Sequence, residues 1–212
     1  AGFGLHLAVR DGCAATVFEW AERRRAVAAP VHASGTVDPD RVRAALGGAA
    51  LVEFVVHEAT LLAVLITDGR VTLRRLGPVE AITEAVIRLR YALRRHSLGD
   101  GTGSHVTGPH DSGTLGTGPH DTRPRGSGKH GSGPHGSESL GGGMFGVGGM
   151  VDEAAVEVER ALMRPLHDEL GDRPLVVVPA GALHTLPWAA LPCLRSRPVS
   201  VAASAAAWLA AR

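Results

Sequence analysis

The chain has 212 residues, 44% of them hydrophobic, with a formal net charge of +1 when histidine is neutral. That length fits one domain or two small ones, and so even a charge balance gives no electrostatic drive toward nucleic acid or an anionic membrane surface. Eight aromatic residues (four Phe, three Trp and one Tyr) are too few to interleave with a basic stripe for base stacking.

Residues 1–28 predict two helices. Phe3, Leu7 and Val9 lead to a stop at Asp11-Gly12, and a second helix over Ala14 to Ala28 gathers Val17, Phe18, Ala21 and Val27 on one face. Glu19 before Arg23 and Glu22 before Arg25 read as modest surface pairs. Small residues at the contact suit a tetratricopeptide-like helix pair over 1–30, although no second copy of the roughly 34-residue period is visible. A connector from Pro30 leads to a short helix begun by Asp38-Pro39 and closed by Gly47-Gly48. Leu51–Val56, Leu61–Ile66 and Arg70–Leu76 then predict a three-stranded antiparallel meander, with an Asp68-Gly69 turn before the third strand. The first two strands are apolar enough to be covered on both faces. A long helix to about His96 carries Val79, Ile82, Val86, Leu89 and Leu93 as one stripe.

Composition changes abruptly over 97–150. Thr107-Gly-Pro-His-Asp111 recurs as Thr117-Gly-Pro-His-Asp121, Ser127-Gly-Lys-His130 keeps the same step, and His105 and His135 fall between. Gly, Ser, Thr and Pro cannot bury enough surface to offset ordering entropy, so a disordered insert is expected. Imidazoles suit Ni²⁺, Cu²⁺ or Zn²⁺, but Gly and Pro neighbours preset no geometry, and a plain linker is the simpler reading. Order is expected to resume near Asp152 as an N-cap, with Ala155, Val158, Leu162, Leu166 and Leu170 as an apolar stripe and Pro165 either kinking the helix or beginning a second short one. Leu175–Val178 is a buried strand, followed by Pro179-Ala-Gly181 turn chemistry.

Leu175-Val-Val-Val-Pro-Ala-Gly-Ala-Leu-His-Thr-Leu-Pro-Trp-Ala-Ala-Leu191 resembles a segment of the CHAT domains, caspase-like proteins that follow tetratricopeptide repeats and are related to caspases and separases. The order of Ala50–Phe54, Arg70–Pro78, Ala81–Arg95, Leu162–Leu166 and Pro174–Leu209 is similar to that family as well. The resemblance implies an α/β fold: an incomplete caspase-like sheet with flanking helices over 36–96 and 151–212. It also implies a cysteine nucleophile and a histidine base, each after a later strand. No position here matches either, so no catalytic, cofactor-binding or metal-binding residue is assigned. His184 and Cys193 make a tempting pair, yet they lie on one loop, whereas such a dyad comes from two strands. His184 reads as a loop-fixing or partly buried histidine, Cys193 as a small apolar filler, and Leu186 and Trp188 as core.

Cys13 and Cys193 show no disulfide or zinc spacing and read as reduced thiols of a cytoplasmic protein. No run of about 18 apolar residues predicts a membrane span. The first residues have neither an initiator Met nor signal-peptide character, and 205–212 read as an interrupted helix, so a fragment is expected. The expected parent is a caspase-like cysteine endopeptidase acting on protein substrates. The alternative is a non-enzymatic scaffold with a degenerate caspase-like fold and protein partners; metal sequestration by the histidine insert is the weakest reading. With later strands missing, the sheet edge beside Leu175–Val178 is expected to lack a neighbour, leaving a marginally stable chain.

Overall fold

Leu51–Val56 and Leu61–Ile66 are built almost wholly of residues that gain from leaving water, and such strands persist only where both sheet faces are covered. A computed structural model of the protein describes residues 2–28, 37–99 and 147–212 and shows that arrangement. Strands β1 (Ala50–His57), β2 (Thr60–Ile66) and β3 (Val71–Pro78) form the expected antiparallel meander. β4 (Leu175–Val178) adds parallel to β1, and β5 (Val199–Val201) adds parallel to β4, so the sheet runs β3-β2-β1-β4-β5.

Strand alternation divides the core in two. Val52, Phe54, Ala63, Leu65, Leu175 and Val177 face one layer, made of α4 (Val79–Gly99), α5 (Val147–Leu162), α6 (His167–Leu170) and the short 3-10 turns after β4. Leu51, Val55, Leu62, Val64, Ile66, Val176 and Val178 face the other, made of α1 (Gly2–Arg10), α2 (Ala14–Ala28), α3 (Pro39–Leu46) and α7 (Ala205–Ala210). The molecule is thus an α/β/α sandwich. Phe18 and Phe54, both 0% exposed, anchor the two layers, each contributing on the order of 1.5–3 kcal/mol by burial.

Local signals explain most boundaries. Asp38 accepts from the Asp40 N–H, Pro39 occupies the first turn of α3, and Gly47 closes it at φ 57°. Pro165 ends the long helical run after α5, and a 3-10 turn over Arg164–Leu166 re-aims the chain into α6. Trp188 stacks on Phe54 at 5.7 Å between ring centroids, in the core as expected, and Leu186 is buried beside it.

Several expectations require correction. The edge beside β4 is not open: β5 pairs along it, with Leu175↔Val199 and Val177↔Val201 in register. The helical order after the insert begins at Val147, so Asp152 lies inside α5 rather than capping it. Residues 97–99 likewise belong to α4. Val27 and Phe3 are exposed, because the sheet-facing stripe of the first two helices runs through Leu5, Ala8, Val9, Val17, Phe18 and Ala21. The rest of the Gly/His-rich insert and residues 29–36 of the connector lie outside the described residues. Among the described residues no helix is long and apolar enough to cross a membrane.

Candidate functional site

Parallel strands gather their carboxyl ends on one side of a sheet, where α/β proteins place ligands and reacting groups. Here the ends of β1 and β4 open into a cleft of ≈ 450 Å³, lined among others by Arg24, Arg25, Phe54, Val56, Gly181 and His184. Gly181 adopts φ +54°, a left-handed conformation that turns the chain out of β4, and a Cβ there would meet only Val56 at 4.0 Å. The glycine serves the turn.

Arg25 organises this end of the sheet. Its Nε donates to Glu53 Oε1 at 3.0 Å, one terminal nitrogen donates to the Phe54 carbonyl at 2.8 Å, and the other to the Pro179 carbonyl at 3.0 Å. One guanidinium on α2 therefore ties together β1 and the loop leaving β4. Glu22 lies 3.9 Å from the same Nε, and its two carboxylate oxygens accept the Ala205 and Ala206 N–H groups at the start of α7. The Glu22–Arg25 spacing, read in sequence as a surface pair, is instead a mostly enclosed cluster in which Glu53 is 0% exposed. Burial pushes the Glu53 carboxyl up to about 8, with the Glu22 charge adding to the shift and Arg25 opposing it. Its Oε2 has no hydrogen-bond partner among the described residues.

His184 stands exposed at the cleft mouth, not packed into a loop interior. Desolvation first, and the Arg25 charge second, hold its imidazole below the usual histidine range. Cys193 lies elsewhere, in a separate pocket with Glu159, Met163, His167 and Arg197. Burial pushes its thiol up to about 12, reinforced by the Glu159 carboxylate, which also accepts the Cys193 N–H at 2.7 Å. A thiol so placed carries almost no thiolate and is a poor nucleophile. Cys13 is exposed on the loop between α1 and α2, its Sγ 3.0 Å from Thr16 Oγ1, a contact that lowers its pKa. His184 and the two thiols are not brought together. The cleft has an imidazole and two guanidinium groups but no nucleophile among its lining residues.

A further cluster escaped the sequence reading. His6 of α1, His57 at the end of β1 and Glu58 in the β1–β2 turn place their ligand-type atoms within 4.8 Å of one another. His6 Nδ1 is 3.2 Å from Glu58 Oε1, and the two imidazole rings lie 5.4 Å apart. His6 and His57 are far apart in the chain, so no spacing motif announced them; only the packing of α1 on β1 brings them together. No family model, no curated protein and no solved structure matches the chain.

Proposed function

We propose that the chain is the amino-terminal, non-catalytic half of a CHAT-type protein, the whole being a cytoplasmic caspase-like cysteine endopeptidase that acts on protein substrates. One observation carries the reading: β1, β4 and β5 run parallel, and β5 ends the sheet with Val201 54% exposed. Further parallel strands laid beside β5 would have their carboxyl ends on the side where the Arg25–His184 cleft opens. A cysteine and a histidine following two such strands would meet there. The thiolate would attack the scissile carbonyl carbon, while the imidazole takes the thiol proton and returns it to the departing amine. The Pro179–Leu191 segment, which carries the family resemblance, supports the reading by its place: it leaves β4 at this same end. In this reading His184 is a rim residue, Cys193 a packing residue and the helix pair an upstream support for the sheet.

A second reading, a scaffold without peptidase chemistry, is favoured by the same edge. Among the described residues no strand pairs with the outer edge of β5, so an extended segment of a partner can add there. A peptidyl ketone directed at cysteine nucleophiles separates the two when applied to the product of the complete gene and mapped by mass. The peptidase reading expects label on one cysteine beyond residue 212, with Cys13 reacting only with simple alkylating agents and Cys193 staying protected until unfolding. A gene that stops at Arg212, or a complete product with no labelled cysteine, would leave the scaffold reading. Label on Cys193 would contradict both the role and the protonation assigned to it.

A further inference from the structure

We propose that His6, His57 and Glu58 form a Zn²⁺ site that keeps one coordination position open. The inference is independent of the peptidase reading. Alternation along β1 puts His57 on the same face as Leu51, Glu53 and Val55, the face covered by α1 and α2. Leu5, Ala8 and Val9 fix α1 against that face and leave His6 at its rim, over the hairpin. The turn supplies the third group. His57 pairs with Thr60, so only Glu58 and Ala59 make the connection.

Glu58 holds φ 53°, and it is the one non-glycine residue at positive φ among the described residues. Gly, Asn or Asp takes such a turn position with less strain, so local backbone preference does not account for a glutamate there. Its carboxylate points to His6 Nδ1 at 3.2 Å. Donor atoms of a tetrahedral zinc ion lie about 3.3 Å from one another, given bond lengths of about 2.0–2.1 Å. The His6–Glu58 pair already meets that spacing. His57 needs a shift of about an ångström or two, and side chains exposed at 51% for His6 and 70% for Glu58 are free to move toward it.

The donor set chooses the ion. Two imidazole nitrogens and one carboxylate suit zinc, whereas Ca²⁺ and Mg²⁺ favour all-oxygen shells. Three protein ligands are the number found where zinc keeps a fourth place for water or an incoming group. Bound there, the ion would cross-link α1 to the β1–β2 hairpin, at the same end of β1 whose Val55 and Val56 line the cleft.

Titration of the full chain with Zn²⁺, followed by calorimetry and thermal melting, tests the site. His6→Ala, His57→Ala and Glu58→Gly are compared with wild type, and the histidines of 100–146 remain as a constant background in all four. Wild type should bind one more Zn²⁺ than each variant, or bind it at least tenfold more tightly. Its Tm should rise by about 5 °C at a hundredfold excess over Kd, and the variants' should not. Glu58→Gly relieves the turn, so its metal-free Tm should equal or exceed that of wild type, which separates loss of zinc from loss of fold. In wild type alone, zinc should also shield His6 and His57 from diethylpyrocarbonate. Equal binding and equal Tm rise in all four proteins would overturn the site, as would unshielded His6 and His57.

Discussion

Glu53 shows how one buried carboxyl sets a pH dependence. It is the one carboxylate of β1, set among apolar residues from Ala50 to Val56 and enclosed by α2, with Oε1 held by Arg25 and Oε2 without a partner among the described residues. Desolvation disfavours its charged form, and the Glu22 carboxylate adds to that. The folded pKa of about 8 stands above the ordinary carboxyl value of 4.5, so the folded state holds a proton that the unfolded chain releases. This contribution to stability is whole below about pH 4.5 and is lost as pH rises toward 8, at no more than about 1.4 kcal/mol per pH unit. Glu53→Gln keeps an acceptor for Arg25 and cannot ionise. Urea midpoints at pH 5 and pH 8.5 should fall for wild type and change much less for the variant; equal falls would contradict the assignment. None of this was legible in the sequence. Leu51–Val56 announced a buried strand, but the partners of its one glutamate come from α2, distant in the chain, and the three-residue spacing of Glu22 and Arg25 pointed to a solvated face. His6, His57 and Glu58 were hidden for the same reason: packing, not spacing, assembles them.

At the scale of elements, capping signals and apolar stripes carried most of the fold. Asp38-Pro39, Gly47, Gly12 and Pro165 each mark a boundary by a local property, a side-chain cap or a backbone conformation, that needs no tertiary partner. Where an element depends on distant groups, the sequence was silent. α7 has only six residues, too few to persist alone. Its first-turn N–H groups are satisfied by Ser204 Oγ and by both oxygens of Glu22, at 3.0 Å each. The Glu22 charge also complements the positive end of that helix. Glu22→Ala should therefore cost about 1–3 kcal/mol and loosen α7 selectively. Chemical denaturation with amide exchange over 205–210 checks this. A loss below about 0.5 kcal/mol, with α7 amides as protected as before, would show that packing of Trp208 and Leu209 alone holds the helix.

In the whole molecule, the first helix pair shares one core with α3, α7 and the sheet. Arg25 pins that pair to the carboxyl end of β1 and to the turn after β4, so support and cleft form one mechanical unit. The meander was legible because its first two strands are long and almost wholly apolar and an Asp68-Gly69 turn leads into the third. β5 was not, because Val199-Ser-Val201 is short and sits among Ala and Ser, and its pairing with β4 displaces the open edge by one strand. Under the proposed function, β5 receives a further strand from chain beyond residue 212. Pro198 O and the Ala202 N–H bond toward β4, accepting from Leu175 and donating to Val177. Along a parallel strand, that places the Val199 and Val201 N–H groups on the outer edge. Amide hydrogen exchange at Val199 and Val201 is the most direct measurement. Fast exchange is expected in the 212-residue chain, and slowing by roughly a hundredfold or more, the mark of an internal strand, in the product of the full gene if the proposed function holds. Equal, fast exchange in both would contradict it.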